Sequence, residues 1–270
     1  MGAAFVRPES SRAIIFDCDG VLADTERFAH LPAFNAMFEE FDLPVRWSEE
    51  EYGRLLLIGG GKERLRTLLT DDFVAAARLP KSPADQLGVV QRWHDRKTAI
   101  YSQLVRAGAV PARAGIVRIV DEARSAGWSL AVASTSAEPA VLAVLESVVG
   151  HERAGQFQVF AGDLASRKKP APDIYSIAIE HLGMPKELAI AIEDTRNGLL
   201  AATSAGLACI VTTTGQSRDQ DLSEAVLVVD SLGDPDGEQS HVMANRGRAR
   251  PGRWITLADL VDSMPIGVSA

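Results

Sequence analysis

The stretch that constrains this chain most is Ala13-Ile14-Ile15-Phe16-Asp17-Cys18-Asp19-Gly20. Four apolar residues, rich in isoleucine, predict a short strand buried on both faces, as in the middle of a parallel sheet. Two aspartates follow at i and i+2, directly past its end, and Gly20 lets the chain turn away. In open α/β sheets ligands bind outside the carboxyl ends of the strands. Two carboxylates crowded there repel each other unless a cation or a proton intervenes. The pair therefore points to a metal site, to a nucleophile with an acid–base partner, or to both. An Asx-turn is the plain alternative for a lone Asp-x-Asp. An EF-hand loop is excluded: it needs an acid fifth and a glycine sixth, and here Val21 is fifth and Gly20 fourth.

The strand–helix pattern returns after Pro111. Ala114 to Ala126 reads as a helix closed by Gly127, and Trp128 to Ala133 as a strand. Glu138 to Val149 reads as a helix with Pro139 in its first turn. Phe157 to Ala161, Leu188 to Ile192, Leu207 to Val211 and Ala225 to Val229 are predicted strands. Asp173 to Leu182, Gly198 to Ala205 and Thr256 to Met264 are predicted helices. Such alternation implies a parallel sheet with helices on both faces, an α/β class. Residues 1–12 read as a frayed lead-in, and 231–253, with four glycines and two prolines, as a mobile loop.

Between the first strand and this pattern the chain is helical in character. Phe28, Leu31, Phe34, Met37, Phe38 and Phe41 recur at spacings of three and four, predicting one amphipathic face. Ser48 before three glutamates reads as an N-cap with an acidic first turn. Leu65, Leu68 and Leu69 continue the pattern, Pro80 and Pro83 break it, and Leu87 to Leu104 forms a further helix ending near Gly108. The reading is a discontinuous core, 1–26 and 109–270, with a helical domain inserted at 27–108.

The chain has 270 residues, 46% hydrophobic, enough for a sizeable core. Its net charge of −8 argues against nucleic acid, whose backbone needs clustered Lys and Arg. A small phosphorylated ligand remains compatible, because a pocket can be basic on an acidic protein. The two cysteines, Cys18 and Cys209, both fall inside apolar strand-like stretches and read as packing residues rather than a disulfide framework or zinc site. No signal-peptide pattern and no run of 18 apolar residues occurs, so the expectation is a cytoplasmic protein without membrane spans. In a photosynthetic eukaryote the plastid stroma would take that place. A monomer is the working expectation.

Three more strand ends carry polar groups. Ser134-Thr135-Ser136 ends the strand at Ala133, and hydroxyls with backbone N–H groups at a helix N-terminus can hold a phosphate. An N-cap is the plain alternative. Arg167-Lys168-Lys169-Pro170-Ala171-Pro172-Asp173 displays Lys169 on a backbone restricted by two prolines, a point charge for phosphate or crowded carboxylates. Glu193-Asp194 follows a buried strand, where acids are costly unless paired or metal-bound.

Taken in order, these four stretches resemble the signature of the haloacid-dehalogenase-like (HAD) phosphohydrolases across residues 13–230. The resemblance implies a Rossmann-like core with a helical cap inserted after the first core strand. Ile174-Tyr175 and the position of the cap are similar to the subfamily of β-phosphoglucomutase and small sugar-phosphate phosphatases. A finer resemblance is to the CbbY group of that subfamily. It is carried by Asp24-Thr25-Glu26-Arg27 with His30, Phe34-Asn35, Trp47, Tyr52-Gly53-Arg54-Leu55-Leu56, Gly59-Gly60-Gly61-Lys62-Glu63-Arg64 and Leu232-Gly233-Asp234-Pro235-Asp236. The glycine run is not a P-loop, since position 56 is Leu and Glu63 follows Lys62.

The resemblance implies a Mg²⁺-dependent phosphatase acting through an aspartyl-phosphate, on xylulose-1,5-bisphosphate if CbbY-like. Asp17 is then the nucleophile, and Asp19 the acid and base, neutral for the first step. Mg²⁺ takes Asp17, the Asp19 carbonyl and Asp194. Ser134, Thr135 and Lys169 hold the phosphoryl group, and Glu193 orients Lys169 or a metal-bound water. Glu26, Lys62 and Arg64 of the cap engage the rest of the sugar phosphate, while His30 is read as a structural residue. A phosphosugar mutase and a non-catalytic HAD-like binding protein remain alternatives. The core residues do not separate phosphatase from mutase.

Overall fold

The computed structural model describes residues 12–56, 58 and 60–265, with the side chain of residue 163 left aside. The predicted lead-in therefore lies almost wholly outside the described residues. Contacts divide the chain into two compact units, one from the N-terminal segment to Asp24 plus Pro111 onward, the other Thr25–Val110.

The first unit is an α/β layer structure of the Rossmann-like kind. Its strands are β1 (Ala13–Phe16), β2 (Ser129–Ala133), β3 (Phe157–Phe160), β4 (Ala189–Glu193), β5 (Ala208–Thr212), β6 (Leu227–Val229) and β7 (Val242–Asn245). They form one sheet in the order β3-β2-β1-β4-β5-β6-β7. β1 pairs in parallel with β2 on one side and β4 on the other, Ile15 opposite Ala131 and Ala191. Every residue of β1 is buried, as a central strand covered on both faces requires. Ala13 and Ile15 face a core shared with Tyr175, Leu182, Leu199 and Cys209. Full burial of a side chain such as Ile15 contributes about 1.5–3 kcal/mol. Cys18 and Cys209 are both buried free thiols, Cys209 inside this core and Cys18 in the turn beyond β1 rather than in a strand.

From β1 the chain builds outward to β2 and β3, then returns to β4 and proceeds the other way to β5 and β6. The junction of β1 and β4 is thus the point where strand order reverses, the usual crevice of such sheets. One strand departs from the parallel expectation. β7 runs antiparallel to β6, inside the segment read as a mobile loop. That segment is ordered by its own hydrogen bonds: Asp230 N to His241 O at 3.2 Å, Ser240 N to Arg253 O at 2.7 Å and Ile255 N to Leu232 O at 2.8 Å. Glycine and proline content marked its turns correctly but could not show that its backbone finds partners across the sheet.

The helices of the second unit come first in the chain. A single π-turn, Glu26–His30, runs into α1 (Leu31–Glu40), followed by α2 (Glu49–Leu55), α3 (Gly61–Arg66), α4 (Asp71–Ala76) and α5 (Pro83–Arg106). Leu31, Phe34, Met37 and Phe38 are buried, while Phe28 and Phe41, assigned to the same face, are more than a third exposed. The π-turn shifts Phe28 off the stripe, and Phe41 lies past the helix end. Asn35 brackets the Trp47 backbone, accepting from its N–H and donating to its carbonyl, both at 2.9 Å. Ser48 and Glu51 form a complete capping box. Pro83 does not break a helix here; it opens α5.

In the first unit follow α6 (Ile116–Ser125), α7 (Glu138–Val149), the short α8 (His151–Ala154), α9 (Asp173–Leu182), α10 (Arg196–Ser204) and α11 (Leu257–Ser263). Neither α4 nor α8, both of six residues or fewer, was anticipated; short helices carry too little periodicity to read. No helix among the described residues is long and apolar enough to cross a membrane.

Candidate active site

Asp17 sits on the first residue past β1, its N–H donating to Ile192 O of β4 at 2.9 Å. Glu193 is the last residue of β4 and Asp194 the next. All three acids are buried, and each offers an oxygen within 4.8 Å of the others. The close approach is made possible by glycines. A Cβ on Gly20 would lie 2.0 Å from Asp194 Oδ2, and one on Gly198 would lie 1.8 Å from Glu193 Oε2. Gly20 also has φ +84°, a conformation natural only to glycine.

Lys169 enters this cluster from the proline-flanked loop. Its Nζ donates to Asp17 Oδ1 at 2.6 Å, to Glu193 Oε1 at 2.5 Å and to Ala133 O at 2.9 Å. Three donors meet three acceptors, so the ammonium is fully satisfied although almost wholly buried. Burial opposes its charge, but Asp17 and Glu193 outweigh that and raise its pKa above the ordinary lysine range. Tyr175 OH donates to the same Glu193 Oε1 at 2.5 Å.

One ammonium does not balance three carboxylates. Burial, joined by Glu193 and Asp19, pushes the Asp17 carboxyl up to about 7 against the pull of Lys169. Burial, with Asp17 and Glu193, likewise drives Asp194 well above the carboxylate range. Excess negative charge among hard oxygen donors is what a divalent cation such as Mg²⁺ relieves, so the residues fit that ion.

Asp19 is placed differently. Its carboxylate is not in the acid group and accepts from Ser136 Oγ at 2.6 Å. The family resemblance implies that its main-chain carbonyl, and not this carboxylate, serves the cation. Ser134 is buried at the end of β2, its Oγ accepting from Ser136 N–H at 3.1 Å; the N-cap offered as the plain alternative is not made, since the N-cap of α7 is Ala137. Thr135 is exposed, and its carbonyl accepts from Lys168 at 3.2 Å. In the first turn of α7 Pro139 has no N–H, and the Ala140 N–H already donates to Ala137 O at 2.9 Å.

The second unit carries its own polar cluster. Tyr52 OH donates to Glu26 Oε2 at 2.6 Å, and Arg64 donates to Tyr52 OH at 3.0 Å and to Ile58 O at 3.1 Å. Lys62 stands in the first turn of α3, after Gly60 at φ +100°. Gly59 of the predicted glycine run lies outside the described residues. His30 is stacked on Tyr101 and bonded to Lys97 at 2.5 Å. Burial and the nearby Lys97 and Arg64 lower its pKa well below 6.5, keeping it neutral.

A family model for haloacid dehalogenase-like hydrolases matches residues 11–206. The chain belongs to the HAD-like hydrolase family. A CbbY-like protein of Arabidopsis thaliana is 42% identical over 227 residues, covering 84% of this chain and 71% of that protein. The plasmid-borne CbbY of Cupriavidus necator is 40% identical over 253 residues, 92% of this chain and 95% of that protein. The structure of CbbY from Rhodobacter sphaeroides in complex with phosphate superposes with TM-score 0.70 at 38% identity, covering 84% of this chain and 97% of that one. A variant of that protein has been crystallised with xylulose-1,5-bisphosphate. As a member of the HAD family with CbbY-like and phosphatase-named relatives, the chain is an enzyme, a phosphoric monoester hydrolase.

Four residues outside the predicted set matter, three of them in the HAD core and Tyr52 in the second unit. Ser136 was adjacent to a predicted pair and Tyr175 lay in a noted motif. Tyr52 stood in the cap motif without a role. Arg113, which reaches the loop after β1, gave no local signal, since its partners lie about a hundred residues away in sequence.

Proposed function

We propose that this protein is a Mg²⁺-dependent phosphatase of phosphorylated sugars, acting through an aspartyl-phosphate on Asp17, with xylulose-1,5-bisphosphate as substrate. The observation that carries the reading is the Lys169 ammonium shared between Asp17 and Glu193, beside Asp194, at the strand-order reversal. The sugar bisphosphate comes from the CbbY relatives, one of which has been crystallised with it.

A carboxylate oxygen of Asp17 attacks phosphorus while the bond from phosphorus to the sugar oxygen breaks. Asp19, its carboxyl oriented by Ser136, gives its proton to the departing sugar oxygen. In the second half Asp19 takes a proton from water, which displaces Asp17 and releases inorganic phosphate. Ser134 and Thr135 hold the phosphoryl oxygens, and the Lys169 ammonium, its three donors already taken by Asp17, Glu193 and Ala133, acts on them as a positive charge at short range. Asp17, Asp194 and the Asp19 carbonyl would hold the cation, which when bound offsets the negative charge of carboxylates and phosphate. Glu193 keeps Lys169 in place. Lys62 and Arg64 take the second phosphate of the substrate, and Glu26 the sugar hydroxyls.

The test is phosphate release from a panel of sugar mono- and bisphosphates. The expected outcome is the highest kcat/KM on xylulose-1,5-bisphosphate, loss of turnover in EDTA and its return with added Mg²⁺. Full turnover in excess EDTA would remove the cation from the reading. Isomerisation of a sugar phosphate with no phosphate released would replace the phosphatase with a mutase, and inertness toward the whole panel would overturn both.

A further inference from the structure

The Arg113 side chain is committed to the carboxyl ends of the sheet. Its guanidinium donates to Gly20 O, to Thr212 O at 3.0 Å, to Thr212 Oγ1 at 3.1 Å, to Thr213 O at 2.7 Å and to Asp230 O. Four of these acceptors are main-chain carbonyls. Gly20 belongs to the loop after β1, Thr212 and Thr213 to the end of β5, and Asp230 to the residue after β6. Between β1 and β5 lies β4, whose end carries Asp194. The guanidinium thus ties the loops on both sides of Asp194, and Asp194 is the acidic group whose field acts on it most strongly.

Gly20 is the joint through which that tie acts. Its carbonyl is held by Arg113 and its N–H by Ala23 O at 2.8 Å, while Arg113 N–H donates to Leu22 O at 3.0 Å. Asp194 presses so closely on the Gly20 Cα that no Cβ fits. The Asp19–Gly20 peptide and the Asp194 carboxylate therefore have one relative placement, set on one side by contact and on the other by the guanidinium. A guanidinium offers five N–H donors in a fixed planar fork, enough for four carbonyls at once, where a lysine has three donors on one nitrogen.

We propose that Arg113 is a positioning residue for the divalent cation, holding the Asp19–Gly20 peptide and the Asp194 carboxylate in the arrangement that binds it. This rests on the cation site proposed above. Groups one step removed from a metal change its affinity by about 10- to 100-fold when lost.

The experiment compares wild type with Arg113→Lys, Arg113→Gln and Arg113→Ala. Mn²⁺ binding to metal-depleted protein is measured from the paramagnetic resonance of free Mn²⁺, with no turnover needed. Mg²⁺ activation is measured separately with p-nitrophenyl phosphate. Wild type should bind one Mn²⁺, and Asp194→Asn should bind none. The Mn²⁺ dissociation constant and the Mg²⁺ needed for half-activation should both rise by about tenfold or more in Lys and Gln variants that keep the native circular dichroism. At saturating Mg²⁺ kcat should recover to within about threefold of wild type, because Arg113 touches no reacting atom. Millimolar guanidinium should restore Mn²⁺ affinity to Arg113→Ala. Folded variants with wild-type Mn²⁺ affinity, whatever their thermal stability or kcat, would overturn the proposal. Loss of the fold in all three would do so too, by assigning Arg113 to folding. Wild type that binds no Mn²⁺ would remove the cation site itself, whereas Mn²⁺ binding without ester hydrolysis would remove only the phosphatase.

Discussion

Asp17 has more at stake than any other residue of the cluster. Burial, with like charges beside it, pushes its carboxyl up to about 7 from the ordinary 3.8. The folded state then binds more protons than the unfolded one between those values, so this group's contribution to stability falls as pH rises from about 4 to about 7. Asp194 acts in the same direction, while His30, held neutral, loses stability as pH falls below 6.5. Comparison with Asp17→Asn isolates the first effect. In EDTA, the Tm of wild type relative to Asp17→Asn should fall as pH is raised from 5 to 8, and added Mg²⁺ should flatten that slope. A difference independent of pH would mean that Asp17 is ionised throughout. The same variant should lose turnover by about a thousandfold or more, measured as phosphate release. Ser136→Ala removes the hydroxyl that fixes the Asp19 carboxylate. A hydrogen bond to a charged group is worth about 1.5–3 kcal/mol, so kcat should fall by about 10- to 150-fold with KM little changed. A wild-type kcat would leave Asp19 oriented by other contacts.

At the scale of elements, the segment between β6 and α11 holds the start of α6 from outside. Asp234 Oδ2 accepts from Gly115 N–H at 2.8 Å, its Oδ1 lies 3.4 Å from Arg118 Nε, and Arg118 donates to Gly233 O at 2.7 Å. Gly115, at positive φ, leaves no room for a Cβ against Leu232 and the Gly233 carbonyl. Asp234 therefore works as an N-terminal cap supplied by a distant loop, where replacement by Ala costs about 0.5–2 kcal/mol. Asp234→Ala should lower Tm accordingly and leave the Mg²⁺ requirement unchanged. Hydrogen exchange gives an independent check on the order of this segment. The amides of Asp230 and Ser240, bonded to His241 O and Arg253 O, should be protected well beyond a loop's rate. Exchange within the dead time would restore the mobile loop expected from composition.

At the scale of the molecule, a chain of net charge −8 is proposed to bind a doubly phosphorylated sugar. In that proposal the Lys169 charge and Ser134 serve one phosphate. For the second, Lys62 is a cleaner probe than Arg64, because Arg64 already serves Tyr52 and Ile58 and its loss would disturb the second unit. A charge-assisted contact of about 1.5–3 kcal/mol predicts that Lys62→Ala lowers kcat/KM on xylulose-1,5-bisphosphate by about tenfold or more. The rate on p-nitrophenyl phosphate, which has no second phosphate, should hardly change. Equal losses on both substrates would make Lys62 a structural residue of α3.

Local chemistry wrote much of this protein plainly into its sequence. β1, β2 and α7 were readable because burial on two faces demands an unbroken apolar run, and a helix declares its period and its first-turn proline within a few residues. Asp17, Glu193 and Asp194 were readable because acids at the end of such a strand need a reason to be there. What local pattern could not hold was decided by the tertiary structure. β7 exists because β6 offers a free edge to a segment poor in strand formers. Phe28 left its stripe because a π-turn rotated it. Ser136 reached Asp19, and Arg113 reached three strand ends, through contacts spanning roughly a hundred residues of sequence. Such contacts leave no periodicity behind. Their energy comes from satisfying buried polar groups with partners that only the finished sheet brings within hydrogen-bond distance.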